Sequence, residues 1–313
     1  MLSRLLCAAL LFNALPAGAQ SLWSKTEFPQ DKARSWWDAD WWERGQLPAA
    51  ANHTVVTRTA SYKNGDVEIP VSIYRPKSEG RFPVIVFQHG RRGVDELTRL
   101  VPLRLAARGF VVVGPDLYSG RFIEKFPVSH DAVLEEDMAL GLDFALSLPE
   151  AQGQQKLCVV SHTRGGYYTL QALTARQRQG KVACYVSYYP VWQDPNAPEA
   201  AQVYQYAPGL NALAVPVLVF MGEQEQYHRA RQISAGIDAL QKKGRDARLF
   251  VYPGVGRGFD FRPAEVRTLA DDMATQDSLR RVTAFIHEHL GPPPAATPAT
   301  APTPAAAPAP ASK

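Results

Sequence analysis

The residues of this chain that are best placed for chemistry follow a short apolar run, in the stretch LCVVSHTRGGYY at 157–168. The apolar run 157–160 predicts a buried strand, and the glycine pair at 165–166 predicts a tight turn into a helix. A hydroxyl on such a turn, above the N-terminus of a helix, can attack a carbonyl carbon when a nearby base removes its proton. The turn carries two hydroxyls, one imidazole and one guanidinium, on Ser161, Thr163, His162 and Arg164.

The elements that must position this turn alternate between apolar strands and amphipathic helices. Alternating apolar residues at 54–61 and 67–74, joined by the turn signal KNGD, predict an antiparallel hairpin, and Pro70 favours an edge position for its second strand. The remaining pattern predicts a mostly parallel twisted sheet with helices on both faces. Strands are predicted at 82–88, 110–114, 157–160, 183–187, 215–221 and 248–252, and helices at 97–108 and 133–148, after the turn at 165–166, and around 233–240 and 282–290.

Three segments lie outside this pattern. Residues 1–19 combine Arg4, an apolar run and the small residues AGA, which predicts a secretory signal peptide, a periplasmic or secreted protein, and no transmembrane segment after cleavage. Residues 20–52 form an arm with five of the six tryptophans, which either packs on the same protein or offers a platform to a partner in the cell envelope. Residues 291–313 are almost wholly Pro, Ala and Thr and predict a disordered tail.

The composition indicates a globular protein and argues against several classes of partner and cofactor. The 313 residues are 46% hydrophobic, enough for a large core, and the formal charge of +4 comes without a long basic run, so nucleic acid is not an expected partner. No zinc or haem spacing of Cys and His is present, and neither a metal nor a cofactor is expected. Cys158 and Cys184 lie in successive predicted strands, where two buried thiols are favoured over a disulfide without excluding it.

Several phrases together identify a family resemblance over 53–290. They are PVIVFQHG, GFVVVGPDLYSGR, SHTRGG, VPVLVFMGEQE and VYPGVGRGF. In this order they resemble the dienelactone hydrolase family of α/β-hydrolases. The resemblance implies an α/β-hydrolase fold, carboxylic-ester hydrolysis without a cofactor, a small-molecule ligand, and a triad in the order nucleophile, acid, histidine.

The triad positions that the resemblance implies are Thr163, Glu225 and Arg257. In this family the nucleophile on the turn between strand and helix usually has a strained positive φ. Either the turn has relaxed here or Thr163 carries that strain. Glu225 stands where the family places Asp, and Arg257 stands where it places the histidine. A guanidinium has a pKa above about 12 and cannot act as the base at neutral pH. Glu225 and Arg257 are instead expected to pair through two parallel bonds.

Other candidate residues lie around the same pocket. We expect His162 to point away from Thr163, and His228 to be the better substitute base. His89 lies on the loop that should supply an oxyanion-hole amide. The arginines should leave the pocket positive and favour a carboxylate or phosphate ligand. The candidate ligand-binding residues are His89, Arg91, Arg92, Arg164 and His228.

Three functions follow, in this order of preference. The first is an exported protein of this fold whose triad has decayed and whose pocket binds a small ligand such as an anion. The second is an active ester hydrolase that uses Thr163 or Ser161 with His162 or His228. The third is an envelope interaction module that acts through the Trp-rich arm.

Overall fold

The computed structural model describes residues 53–291, which form one eight-stranded sheet with helices on both faces. The expectations for the leader at 1–19, the Trp-rich arm at 20–52 and the tail beyond Gly291 concern residues outside this range. The strand order is β1-β2-β4-β3-β5-β6-β7-β8, in which β2 runs antiparallel to β1 and β4 and the other neighbours are parallel. The strands are β1 Val55–Asn64, β2 Val67–Pro76, β3 Val84–Gln88, β4 Val111–Pro115, β5 Leu157–His162, β6 Val182–Tyr188, β7 Val217–Gly222 and β8 Ala247–Tyr252.

Six α-helices cover the two faces of this sheet within residues 53–291. They are α1 Glu96–Ala107, α2 Val133–Ser147, α3 Gly165–Leu173, α4 Glu199–Tyr204, α5 Tyr227–Lys242 and α6 Leu269–Leu290. Helices α1 and α6 pack on the face that carries Ile85 and Phe87 of β3, whereas α2, α3 and α5 pack on the face that carries Val84 and Val86. Because β3 is buried on both faces, it reads as an unbroken apolar run in the sequence.

The predicted hairpin is present as β1 and β2, but the edge position predicted for the strand with Pro70 is wrong. Strand β2 lies inside the sheet, between β1 and β4. Pro70 is tolerated because pairing with β4 begins only at Val71, opposite Pro115. The proline therefore lies past the end of that ladder, where its missing N–H removes no hydrogen bond to β4.

A disulfide joins two neighbouring strands of the sheet. Cys158 of β5 and Cys184 of β6 occupy paired positions of neighbouring strands and form a disulfide, with the Cα atoms 4.8 Å apart. The free thiols favoured from the sequence are therefore wrong, because the register between the two strands cannot be read from sequence. Among the described residues, no helix combines the length and the apolar character needed to cross a membrane.

Candidate binding site at the turn between β5 and α3

The turn between β5 and α3 holds Thr163 in a strained conformation. Its φ is 49°, in the left-handed region that a β-branched residue rarely adopts. Its N–H donates to the Tyr188 carbonyl at 3.1 Å, and its carbonyl accepts from the N–H groups of Gly166 and Val191 at 3.0 and 2.8 Å. These bonds keep the sharp turn in place, so Thr163 carries the strain and the turn has not relaxed.

Two glycines allow the loop after β3 to approach this turn. A Cβ on Gly165 would lie 2.6 Å from the His89 carbonyl oxygen, which leaves no room for a side chain at the start of α3. A Cβ on Gly90 would lie 1.7 Å from the Thr163 hydroxyl oxygen. The hydroxyl therefore packs directly against the backbone of the loop after β3. Thr163 is partly exposed, and its hydroxyl makes no hydrogen bond to any residue of the range 53–291.

Glu225 and Arg257, the residues expected at the acid and base positions, form an ion pair. Arg257 donates from Nε to Oε1 of Glu225 at 3.1 Å, and its Nη2 lies 2.9 Å from Oε2 at an angle less favourable for a hydrogen bond. The Glu225 side chain is fully buried, whereas that of Arg257 is 24% exposed. The Arg257 guanidinium also lies 5.4 Å from the ring centre of Tyr189, within cation–π range. The predicted pairing of Glu225 with Arg257 is confirmed, but only one of the two expected parallel hydrogen bonds is formed.

The imidazole next to Thr163 belongs to a different buried network. Nε2 of His162 lies 2.6 Å from Oδ2 of Asp260, and the ring stacks on Tyr188 at 4.7 Å. Asp260 also accepts a hydrogen bond from the Tyr189 hydroxyl, and its backbone carbonyl accepts one from Arg104 at 2.5 Å. Burial alone would raise the pKa of Asp260, but the neighbouring His162, Tyr189 and Arg104 hold that pKa below its usual value. His162 therefore points away from the Thr163 hydroxyl, as predicted.

The other histidines are also not bonded to Thr163. The His89 ring is buried between the Gly90 carbonyl, 2.8 Å from Nδ1, and the Leu117 N–H, 3.2 Å from Nε2. Nδ1 must therefore be the donor and Nε2 the acceptor of a neutral ring, and burial lowers the pKa of His89 in agreement. This fixes His89 as a support of its loop, without a free ring nitrogen for a ligand. His228 lines a cavity and has no hydrogen-bond partner among the described residues.

The arginines predicted from the sequence divide into two groups. Arg91 and Arg164 both donate to backbone carbonyls of the loop at 126–129, at distances of 2.8 to 3.4 Å, and they hold that loop over the turn. Arg92 forms an ion pair with Asp95, the residue that caps α1. Its charge is therefore largely neutralised, and Arg92 is a weaker candidate for ligand binding than the sequence indicated.

Arg229 of α5 is a site residue that sequence reasoning missed. Its Nε donates to Oε1 of Gln226 at 2.7 Å, and it forms no ion pair with a carboxylate within residues 53–291. Burial lowers the pKa of Arg229 to about 10, and the charge of Arg257 lowers it as well, against the opposing effect of Glu225. At neutral pH this side chain stays charged, and its two terminal amino groups remain available to a ligand.

Two adjoining cavities surround these residues. The upper cavity, of about 290 Å³, lies over Thr163 and is lined on its apolar side by Phe126 and Phe261. The side cavity, also of about 290 Å³, is lined by Gln193, Gln202, Val203 and His228 among others. The residues that line both cavities are Arg91, Arg164, Val191 and Arg229.

The residues that the sequence did not reveal come together only through long-range contacts. Asp260 is 98 residues from His162 and 71 from Tyr189 along the chain. The sequence does contain one signal that Asp260 is buried. It lies between two phenylalanines in the stretch GFDF, which begins directly after Arg257. A charged residue inside an apolar phrase indicates a buried, paired carboxylate. No comparable local signal marked Arg229, which lies on a polar stretch of α5.

Comparison with known proteins bears on the family and the fold of this chain. A model of the dienelactone hydrolase family matches residues 69–290. A protein of Escherichia coli K12 named "Putative carboxymethylenebutenolidase" is 27% identical over 231 residues, which cover 68% of this chain and 82% of that protein. Of the solved structures, a dienelactone hydrolase from Anabaena variabilis superposes with a TM-score of 0.56 at 17% identity, over 76% of this chain and all of that one.

A second solved structure, an esterase, has the same fold. Brefeldin A esterase, a bacterial homologue of human hormone-sensitive lipase, superposes with a TM-score of 0.56 at 19% identity, over 78% of this chain and 80% of that one. At such identities a superposition shows only the shared α/β-hydrolase fold. Since the family model matches most of the sequence as well, this chain belongs to the dienelactone hydrolase family.

Proposed function

We propose that this chain is an exported member of the dienelactone hydrolase family that binds a small anion above Thr163 and does not perform the family's ester hydrolysis. The observation that carries the proposal is the ion pair of Arg257 with Glu225 at the positions of the base and the acid. A hydroxyl attacks an ester only if a base accepts its proton in the transition state. Arg257 has no lone pair for this, and no imidazole within residues 53–291 bonds to the Thr163 hydroxyl.

The charge of the upper cavity supports an anionic ligand. No acidic side chain lines this cavity among the described residues, and Glu225, beneath it, is already paired with Arg257. Guanidinium groups recognise carboxylates and phosphates through parallel hydrogen bonds, and a partly closed site strengthens them. The lining arginines are Arg91, Arg92, Arg164, Arg229 and Arg257.

Titration calorimetry with butanedioate and with inorganic phosphate tests the anion site. We expect both anions to bind the mature protein, and Arg257→Ala or Arg229→Gln to weaken binding at least tenfold, since each removes a charged donor. Arg99→Gln, on the exposed surface of α1, is the matched control and should leave the affinity unchanged. If neither anion gives heat or a thermal shift, and Arg257→Ala is as stable as the parent, the anion site does not exist.

A double variant tests the proposed loss of catalysis. Thr163→Ser with Arg257→His restores a nucleophile and an imidazole next to Glu225, so we expect measurable hydrolysis of small aryl esters. Thr163→Ala with Arg257→His is the control and should give only background. Equal rates in the two variants would show that position 163 is not the point of attack.

The alternative of an active ester hydrolase has one observation in its favour, the retained strain at Thr163. Ser161 is a poorer nucleophile, because its side chain is fully buried and bonded to Tyr185 at 3.0 Å and Ser187 at 2.8 Å. Labelling with a hydroxyl-directed fluorophosphonate distinguishes an active ester hydrolase from a protein that only binds an anion. Stoichiometric labelling of Thr163 in the unmodified protein, together with ester turnover, would replace our proposal with this alternative.

Export is supported by two features. Residues 1–19 have the charged, apolar and small-residue order of a signal peptide, and the Cys158–Cys184 disulfide is of a kind that persists in oxidising compartments. We expect mass spectrometry of the natural protein to find an N-terminus at Gln20, in the periplasm or the medium. Retention of Met1 in a cytoplasmic fraction would contradict export.

A further inference from the structure

The side cavity contains a buried polar side chain without a partner. Gln193, in the loop after β6, is only 4% exposed, yet its carboxamide makes no hydrogen bond to another residue of the range 53–291. The amide atoms of Gln193 are not among the fully enclosed polar atoms that lack a partner, so they reach the cavity that Gln193 lines. A carboxamide in such a position can bond to a molecule that occupies the cavity.

The other polar groups of the side cavity favour an uncharged, hydroxyl-rich partner. Gln202 donates to the carbonyls of Pro195 and Ala197 at 3.3 and 2.8 Å, which leaves its carbonyl oxygen free. His228 lies beside it, and Glu199 is the acidic residue of the lining. Carboxamides both donate and accept, as do hydroxyl groups, so the two kinds of group are complementary.

The arrangement of the arginines determines where the ligand's charge must lie. Arg91, Arg164 and Arg229 line both cavities and thus stand at the junction between them. Each cavity is about 290 Å³, near the lower end of the ~300–1,000 Å³ typical of ligand pockets, so a ligand of ordinary size would use both. Its anion, held at the junction, must then carry a substituent on each side.

We propose that the side cavity is a second subsite, and that the two cavities together accept a phosphate diester with one apolar and one polyhydroxylated substituent. The phosphate lies at the shared arginines, the apolar group contacts Phe126 and Phe261, and the hydroxyl groups bond to Gln193 and Gln202. A diester fits because its single charge lies inside the molecule, whereas a simple terminal carboxylate reaches only one cavity. This inference rests on the proposed anion site and adds the identity of the substituents.

Two probes of equal charge test this subsite in the mature protein. Hexyl glyceryl phosphate carries both substituents, and hexyl methyl phosphate has a methyl group in place of the whole glyceryl group. By calorimetry we expect the glyceryl diester to bind about tenfold more tightly, the size of effect that one or two well-formed hydrogen bonds give. Gln193→Leu should abolish this difference while leaving the affinity for the methyl diester unchanged, and Gln155→Leu, exposed at the opposite edge of the sheet, should change neither.

A second variant keeps the test decisive if Gln193→Leu fails to fold. Val203 lines only the side cavity, so Val203→Phe should fill that space and lower the affinity for the glyceryl diester to that of the methyl diester. If the two diesters bind the parent protein alike, the side cavity is not a subsite. The anion site would still stand as long as Arg229→Gln weakens both diesters; if it weakens neither, the proposed function fails as well.

Sedimentation with phosphatidylglycerol vesicles distinguishes the two sources of such a diester. Co-sedimentation that is lost in Gln193→Leu would assign a membrane lipid headgroup. Binding of the glyceryl diester without co-sedimentation would assign a soluble diester.

Discussion

The backbone of Thr163 lies at φ 49° because neighbouring strands fix it there, although its own side chain disfavours that angle. Such strain costs about 1–3 kcal/mol and persists where the surrounding structure determines it. Here the surrounding structure is the turn between β5 and α3, and Arg257 stands where the family resemblance implies the histidine. If the proposed loss of ester hydrolysis is correct, the strained backbone of a nucleophile is kept at Thr163 without a base to serve it.

Thr163→Ser tests the strain directly. Removing the β-branch should leave the free energy of unfolding unchanged or raise it by up to about 1 kcal/mol, because serine tolerates positive φ better. Urea denaturation measures the difference. A loss above about 1–2 kcal/mol would mean that the threonine methyl packs well enough to outweigh the strain.

The buried carboxylate of Asp260 should make the stability of the protein depend on pH. Its pKa is lower in the folded protein than in the unfolded chain, so the stability that it contributes is present above the unfolded pKa of about 3.9 and is lost as the pH falls through the folded pKa. Asp260→Asn should cost about 3 kcal/mol at pH 7, since it breaks a buried network around His162.

The pH dependence provides the check on that variant. Between pH 5 and 3 the parent should lose more stability than Asp260→Asn, because the variant lacks this titrating group. Asp238→Asn removes an exposed ion pair with Lys242 and should behave like the parent within about 0.5 kcal/mol. Parallel acid unfolding curves for all three proteins would contradict the assigned role of Asp260.

At the level of helices and strands, the sequence predicted what depends on local pattern. The hairpin, the parallel strands and the longer helices were all recognisable, because apolar periodicity reports burial directly. The short helix α4 was missed, since its six residues include no buried side chain. The pairing of Glu225 with Arg257 was predictable because the loops after successive strands β7 and β8 meet at one edge, whereas Asp260, Arg229 and Gln193 acquire their roles from distant partners.

The disulfide between β5 and β6 allows a prediction for these elements. It closes a loop with a sequence separation of 26 residues, for which restriction of the unfolded chain gives about 3.5 kcal/mol. Replacing both Cys158 and Cys184 by alanine should lower the free energy of unfolding by about that amount, measured in urea. Dithiothreitol should lower the stability of the parent and leave the variant unchanged; equal stability of parent and variant would show that the bond contributes nothing.

Over the whole molecule, the two ends of the described chain lie away from the binding site. The His53 ring packs against Phe82 at 5.2 Å, and Phe82 and Leu290 line a separate cavity of about 420 Å³. This cavity is formed mainly by residues just before β3 and β5 and by the C-terminal end of α6, whereas Thr163, Glu225 and Arg257 follow their strands. The Trp-rich arm and the tail therefore join the body at the edge opposite to the site.

Deletion of residues 20–52 should accordingly leave the affinity for butanedioate within about twofold of the parent. If the indoles pack on the body, the melting temperature should fall, because a buried tryptophan contributes several kcal/mol. Calorimetry and thermal unfolding measure the two effects separately. A large loss of affinity without a change in melting temperature would mean instead that the arm reaches over the site.

The contact between Gly90 and the Thr163 hydroxyl affects how relatives of this chain should be sorted into active and inactive members. A side chain at position 90 would overlap the residue at 163 whether or not that residue performs catalysis, since a Cβ would come within 1.7 Å of its oxygen. Glycine at 90 is thus a steric requirement of the turn and carries no information about turnover. Position 257 is more informative, because a histidine there can accept the proton of the hydroxyl at 163 and an arginine cannot.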